Sequence, residues 1–414
     1  MNIATNDSGD LLKRIAPDGS PAEVFRVFLK LGLTSFGGPI AHLGYFREEL
    51  VVRRKWIDEA SYVDLVALCQ FLPGPASSQV GFSLGILRGS GLLGGLAAWL
   101  GFTMPSTLIL LAFALSAAAF TGPVAEGFLH GLKLVAVAVV AQAVWGMTRT
   151  LTPDRARAMI ALAAIVVVVI AAGSFGQIAA IAFGAVAGLR LCRGEPAQLS
   201  GQLRFPVSRR GGMAALAVFA ALFLMPLVLS STAGHQAIAL FEAFYRSGAL
   251  VFGGGHVVLP LLQAEAVAPG WVTNETFLAG YGLAQAVPGP LFTFAAYLGA
   301  VMEPPPNGVA GSAIALVAIF LPGMLLVYGM LPFWDELRSG HTVQAAMRGA
   351  NAAVVGILGL ALYNPIWTSG VLTSRDFALA VGGFLLLTVW KAPPWVVVIL
   401  LAGSATLLAA THYS

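Results

Sequence analysis

Charge is scarce in this sequence. Only 42 of its 414 residues are Asp, Glu, Lys or Arg, against roughly a quarter in an ordinary soluble domain. Sixteen of the 42 fall within the first 59 positions, so the other 355 residues carry just 26. That is too few to clothe a water-soluble surface. Cysteine is nearly absent as well: Cys69 and Cys192 sit in separate apolar stretches, which excludes a disulfide framework and a zinc-ligand spacing. No G-x-x-x-x-G-K-[ST] loop occurs, which disfavours an ATP-driven pump, and Gly89-Ser90-Gly91 completes no dinucleotide fingerprint. No nucleophile–base pair or metal cluster supports a membrane enzyme, so neither a metal nor a cofactor is expected. The net charge of +4 sits in short loops, which argues against nucleic acid as a partner. Residues 1–22 hold the pair Lys13–Arg14 but no apolar core, so no cleaved signal peptide is expected.

What is abundant is apolar. AVILMFWYC make up 58% of the chain, and 48 glycines add to them. Thirteen apolar runs are long enough to reach across or deep into a bilayer. Six lie at 24–46, 62–87, 91–119, 127–147, 158–173 and 174–190, one at 213–233, and six at 238–262, 277–301, 309–333, 349–365, 377–391 and 393–411. Continuous runs of this length exclude a β-barrel. The expected division is an N-terminal arm at 1–22, a first unit at 23–190, a basic linker at 191–212, a connecting helix at 213–233 and a second unit at 234–414. The fold class is an all-α polytopic membrane protein with the lipid bilayer as partner.

The six-plus-one-plus-six layout hides a duplication. Phe28-x3-Gly32-x3-Phe36-Gly37-Gly38 recurs as Phe244-x3-Gly248-x3-Phe252-Gly253-Gly254, 216 residues later. Trp56 and Gln70-x2-Pro73-Gly74-Pro75 recur 215 residues later as Trp271 and Gln285-x2-Pro288-Gly289-Pro290, and Met104-Pro105 aligns with Leu321-Pro322. Basic residues then orient the copies. Loop 47–59 carries Arg47, Arg53, Arg54 and Lys55 while its counterpart 263–276 has no Lys or Arg; later, 120–131 has none while 334–348 has Arg338 and Arg348. Under the positive-inside rule equivalent loops face opposite sides. The expectation is two inverted-topology repeats, with 213–233 supplying the extra crossing that inversion needs.

Each copy also contains two interruptions, at the Gly-Gly and Pro-Gly-Pro motifs. Basic residues on both sides of segments 24–46 and 62–87 favour broken or re-entrant hairpins there; thirteen full crossings are the alternative. Irregular backbone at membrane depth is tolerated only where protein buries it or it lines a wet cavity. Half-helix N-termini at such breaks point free N–H groups and positive dipole ends at one place, as in secondary transporters. The candidate anion donors are Ser35, Gly37, Gly38, Gly74, Ala76, Ser77 and Ser78 in the first copy, and Gly253, Gly254, Gly255, Gly289, Phe292 and Thr293 in the second. The competing reading is that these residues merely permit close helix packing.

Few charged or polar side chains join them. Lys30 and Arg246 occupy equivalent positions; they either face one cavity as a pair of cations for a dianion or snorkel to the interface. Gln70 and Gln285 either donate to a ligand or brace the broken backbone. Lys133 and its counterpart Asn351 are candidates for a ligand or gating role, with structural pairing as the alternative. His42 and His256 follow the Gly-Gly breaks without aligning to each other, and read as core histidines or, less simply, proton sensors.

The run Phe28-Leu-Lys30-Leu-Gly32-Leu-Thr-Ser-Phe36-Gly37-Gly38-Pro39-Ile-Ala-His42, followed by Trp56 and Gln70-Phe-Leu-Pro73-Gly74-Pro75, resembles the signature of the chromate ion transporter family. Phe252-Gly-Gly-Gly255 with Gln285-Ala-Val-Pro288-Gly289-Pro290 is similar to its second-domain version. The likeness runs over about 24–190 and 238–411, the long two-domain form. It implies a bacterial inner-membrane protein that exports chromate and confers chromate resistance, with sulfate as the chemically similar oxyanion and room for a homodimer. Gly255 stands where the first copy has Pro39, so the two cages need not be equal. The sulfate transporter and the anion channel remain as alternatives of the same architecture.

Overall fold

The computed structural model describes residues 19–116, 122–171, 173–192, 205–228, 236–334, 336 and 340–412. Most of the expected N-terminal arm, residues 193–204 of the expected linker and residues 229–233 of the connecting segment lie outside them. The described chain is helical throughout. In the first half come α1 (Pro21–Thr34), α2 (Gly38–Phe46), α3 (Glu59–Phe71), α4 (Ala76–Arg88), α5 (Leu92–Ser116), α6 (Pro123–Leu151), α7 (Arg155–Ile170) and α8 (Ser174–Leu191). After α9 (Arg209–Val228), the second half repeats the series. It runs through α10 (Gln236–Ala249), α11 (Val258–Ala266), α12 (Asn274–Ala284), α13 (Phe294–Val301), α14 (Gly308–Met330), α15 (His341–Ala361), α16 (Ser374–Thr388) and α17 (Pro394–His412).

Helix starts follow local chemistry. Asp58 and Thr273 cap α3 and α12, and Asp154 and Thr373 cap α7 and α16, each side chain accepting an N–H of the first turn. Such a cap contributes about 1 kcal/mol. These are two repeat-equivalent pairs, so the duplication extends to the capping residues. Among the described residues, six segments are long and apolar enough to cross a bilayer: Leu92–Ser116, Pro123–Leu151, Ser174–Leu191, Gly308–Phe333, His341–Gly370 and Pro394–Thr411. They also form repeat-equivalent pairs. Helices α1 and α3, at 14 and 13 residues, reach only about 20 Å, short of a hydrocarbon core of about 30 Å. Each stops at one of the motifs singled out in the sequence.

The halves are interlaced. The last helix of each packs on the long helix of the other, α17 on α6 and α8 on α15. Along α6, Gly127 lies against Thr406 and Ala409, and Gly131 against Ala402, so α17 runs antiparallel to it. On α15, Gly349 and Ala353 meet Gly184, and Ala345 meets Gly188, again antiparallel. The long helices themselves oppose each other: Lys133 and Val137 of α6 adjoin Gly370, whereas Met147 and Leu151 gather with Asn351 around Gly253. Advancing along α6 therefore means retreating along the second half. Small residues allow this close approach, which is what drives helix association where no hydrophobic gain is available.

Gly349 tests that packing, because a methyl there would collide with the Gly184 carbonyl oxygen, whereas one on Gly403 meets nothing within 4 Å. Gly349→Ala should cost about 1–3 kcal/mol through overpacking. It should lower the melting temperature of detergent-purified protein, and Gly403→Ala should leave it unchanged or raise it.

Candidate functional site

Six glycines make the breaks possible. Gly37 and Gly38 (φ 101° and 79°), Gly74 (121°), Gly253 and Gly254 (76° and 145°) and Gly289 (102°) all adopt backbone conformations that strain an L side chain. Each break then exposes a fresh helix start. Gly37 and Pro75 precede α2 and α4, and Gly254 and Pro290 precede single 3-10 turns that lead into α11 and α13. None of the four starts carries a side-chain cap, unlike those begun by Asp58, Asp154, Thr273 and Thr373. Their first-turn donors remain open to another partner.

The breaks meet across the two halves. The Gly74 N–H donates to the Val251 carbonyl at 2.8 Å, and the Gly289 N–H donates to the Ser35 carbonyl at 2.9 Å. These bonds are repeat equivalents: the Pro-Gly-Pro turn of each copy is tied to the Gly-Gly turn of the other. Pro39 and its counterpart Gly255 are also neighbours, since a methyl on Gly255 would lie 3.2 Å from Pro39 Cγ and 4.0 Å from Phe292. A residue touching its own counterpart lies on the pseudo-two-fold axis. Gly74 adjoins Gly323, and Gly289 adjoins Ser106, which bear the same relation.

Buried polar atoms surround this point. Ser35, His42, Ser77, Ser78 and Thr293 are all at most 4% exposed. His42 Nδ1 faces Ser77 Oγ at 3.4 Å. Ser35 Oγ, His42 Nε2, Ser78 Oγ, Gln79 Oε1, Thr103 Oγ1 and Asn351 Oδ1 are buried with no hydrogen-bond partner. An unpaired buried polar group costs about 1–3 kcal/mol. Ser35 and Ser78, beside uncapped helix starts, supply hydroxyl donors suited to an oxyanion. Thr293 differs, spending its hydroxyl on the Pro290 carbonyl at 2.7 Å.

Other expected members are placed elsewhere. Lys30 and Arg246 do not stand as free cations at the cage. Lys30 Nζ pairs with Glu49 Oε2 at 3.3 Å, and Arg246 clasps Glu265 in a bidentate bridge at 2.9 and 2.7 Å. Both acids lie 19 residues after their cation, so the ion pair itself is duplicated. Glu49 escaped notice because loop 47–59 reads as solvent-exposed, whereas it sits on a π-helical continuation of α2 and is only 7% exposed. Gln70 is exposed, and Gln285 Nε2 donates to the Tyr281 carbonyl one turn back at 3.5 Å. His256 Nδ1 meets Tyr281 Oη at 2.6 Å. Ala76, beside Ser77, is half-buried, and Phe292 is buried. Lys133 is half-buried near the middle of α6 and has no hydrogen-bond or ion-pair partner among the described residues.

Gln79 was not foreseen. Its Nε2 donates to the Pro73 carbonyl at 2.9 Å and to the Gly323 carbonyl at 3.0 Å, bracing the first Pro-Gly-Pro turn against the other half. Its counterpart is Phe294, so matching the copies could not flag it.

The sequence model of a family described as "Chromate transporter" matches residues 22–189 and 238–407, one stretch per half. The chain belongs to the chromate transporter family. It is a multi-pass membrane protein of a family of transporters rather than enzymes. It is 32% identical over 409 residues to the chromate transport protein of Pseudomonas aeruginosa, covering 94% of this chain and 92% of that one. It is 26% identical over 349 residues to the chromate transport protein of Cupriavidus metallidurans, covering 83% and 82%. The uncharacterized transporter YwrB of Bacillus subtilis matches at 35% over 132 residues, 31% of this chain but 64% of that one. No solved structure matches.

The Glu49 cluster carries a pH signature. Burial pushes its carboxyl up, but hydrogen bonds and charge from Arg54 and Lys30 outweigh this and hold it below the ordinary range. A depressed carboxyl stabilises the fold above its unfolded value of about 4.3 and loses that contribution as pH falls through the lower folded value. Glu49→Gln should therefore be less stable than the parent at pH 7, and the gap in melting temperature should close below about pH 4.

Proposed function

We propose that this chain is a secondary transporter that exports chromate across a bacterial inner membrane and so confers chromate resistance, by alternating access around a midplane anion site. The observation that carries the reading is the meeting of four uncapped helix starts, tied by Gly74–Val251 and Gly289–Ser35, around orphaned polar atoms. Backbone N–H groups, helix dipoles and the Ser35, Ser77 and Ser78 hydroxyls are the natural cradle for a tetrahedral dianion. Gly37, Gly38, Ala76, Gly253, Gly254, Gly255 and Phe292 shape it. With Lys30 and Arg246 neutralised, Lys133 is the cation we assign to the substrate path, and Asn351 is its uncharged counterpart.

Inverted insertion of the halves, with the Gly-Gly and Pro-Gly-Pro segments as re-entrant hairpins, accommodates the antiparallel α6 and α15 and the short α1 and α3. The halves also differ in closure. Gly282 of α12 packs so tightly on α6 that a methyl would collide with the Leu132 carbonyl, and Leu151 and Met147 cover Gly253. In the first half, Gly37, the counterpart of Gly253, is approached only by Ala41 of its own segment, and Ile40 is 85% exposed. Exchange of the tight and loose arrangements would open the site to alternate sides. An inside-negative potential then drives a dianion outward by roughly 4.6 kcal/mol per 100 mV, twice the single-charge value.

Purified protein in liposomes should move chromate saturably, with sulfate competing. Lys133→Gln should lower kcat/KM at least about tenfold, the loss of one charge facing a dianion in a partly dry site. Lys30→Gln should act mainly on stability. Non-saturable flux in the parent points to an anion channel, and unchanged kinetics in Lys133→Gln removes that residue from the path.

A further inference from the structure

Where α6 ends and α7 begins there is a cavity of about 750 Å³, walled by Asp154, Arg155, Arg157, Cys192 and Arg348 among others. Three guanidinium groups against one carboxylate leave it formally positive. It joins the two halves, since Arg155 and Arg157 open α7 while Arg348 belongs to α15. Arg157 Nε donates to Asp154 at 2.6 Å. Arg348 Nη1 donates to the Cys192 carbonyl at 3.1 Å and its Nη2 to Gln344 at 3.2 Å, which fixes it on the wall. Arg155 is exposed and makes no hydrogen bond or ion pair among the described residues.

The cavity backs onto the second Gly-Gly break. Arg348 lies one helical turn before Asn351, and Leu151 lies three residues before Asp154. A methyl on Gly253 would meet Leu151 Cδ1 at 3.0 Å, Met147 at 3.4 Å and Asn351 Oδ1 at 3.6 Å. Two apolar side chains therefore cover the break, one of them three residues from Asp154 on the cavity wall, and beside them is the buried, unpartnered Asn351 oxygen.

We propose that this cavity is a vestibule that collects the tetrahedral dianion before it reaches the Gly253–Gly254 break, with Leu151 and Met147 as the plug. The inference rests on the transport reading above. Arg149, Arg155, Arg157 and Arg190 place this end of the helices in the cytoplasm under the positive-inside rule, the side from which an exporter draws. Walls of low dielectric focus the field of the arginines and raise the local anion concentration. An exposed, unpaired Arg155 suits capture rather than tight holding.

The test is initial chromate flux from the cytoplasmic face of proteoliposomes, in zwitterionic and in anionic lipid, at low and high salt. Arg155→Gln and Arg348→Gln should each raise KM about fivefold at low salt with kcat unchanged, the Coulomb effect of one charge on a dianion about 8 Å away in water. The difference should vanish in about 1 M salt. Arg155→Gln removes no internal bond, so it answers even if Arg348→Gln fails to fold. Parent-like KM and salt dependence in Arg155→Gln overturns the vestibule. So does loss of tightly bound anionic phospholipid with KM unchanged, which would make the cavity a lipid headgroup seat. A parent protein without saturable flux overturns the transport reading itself, and the vestibule with it.

Discussion

Two backbone hydrogen bonds between the halves, Gly74 N–H to Val251 and Gly289 N–H to Ser35, make the rest of the architecture tenable. Interrupted helices at membrane depth leave peptide groups that lipid cannot satisfy. Here each half supplies the partner that the other lacks. Either half alone would leave one turn donor and one turn acceptor unpaired, so the centre exists only as a product of both. The exchange of terminal helices, α8 to α15 and α17 to α6, holds the halves in the register that those two bonds require.

That centre is built mostly of backbone, and its electrostatics follow from this. The two cations nearest the Gly-Gly motifs are each neutralised by an acid 19 residues on, so neither stands there as a free charge. Positive potential at the axis then comes from helix starts without side-chain caps. Partial charges on fixed N–H groups suit a cargo that must be released, because they offer direction without the deep well of an ion pair.

The two halves are equivalent in sequence pattern but not in closure. Gly282 against Leu132 and Leu151 over Gly253 make the second half tight, while Gly37, the counterpart of Gly253, and Ile40 are left open in the first. Under the alternating access proposed above, two copies in different packings would already contain both arrangements needed for exchange between two states. The difference at one position of the axis, Pro39 against Gly255, means that the exchanged states need not be mirror images in energy.

Much of this was legible in the residues. Scarce charge and long apolar runs demanded a membrane protein, the 216-residue offset disclosed the duplication, and Gly-Gly with Pro-Gly-Pro marked the breaks, because only glycine accepts those positive φ values and proline cannot donate. Local composition could not say what each side chain would meet. Lys30 and Arg246 read as free cations because Glu49 and Glu265 lie a helix away. Gln79 was silent because its two acceptors, the Pro73 and Gly323 carbonyls, come together only when the halves interlock. The sequence by itself determined class, duplication and the place of the Gly-Gly and Pro-Gly-Pro interruptions, since these depend on the intrinsic preferences of nearby residues. Which charges are cancelled, which polar atoms stay open and which half is closed were decided by the tertiary structure alone, since each depends on groups far apart along the chain.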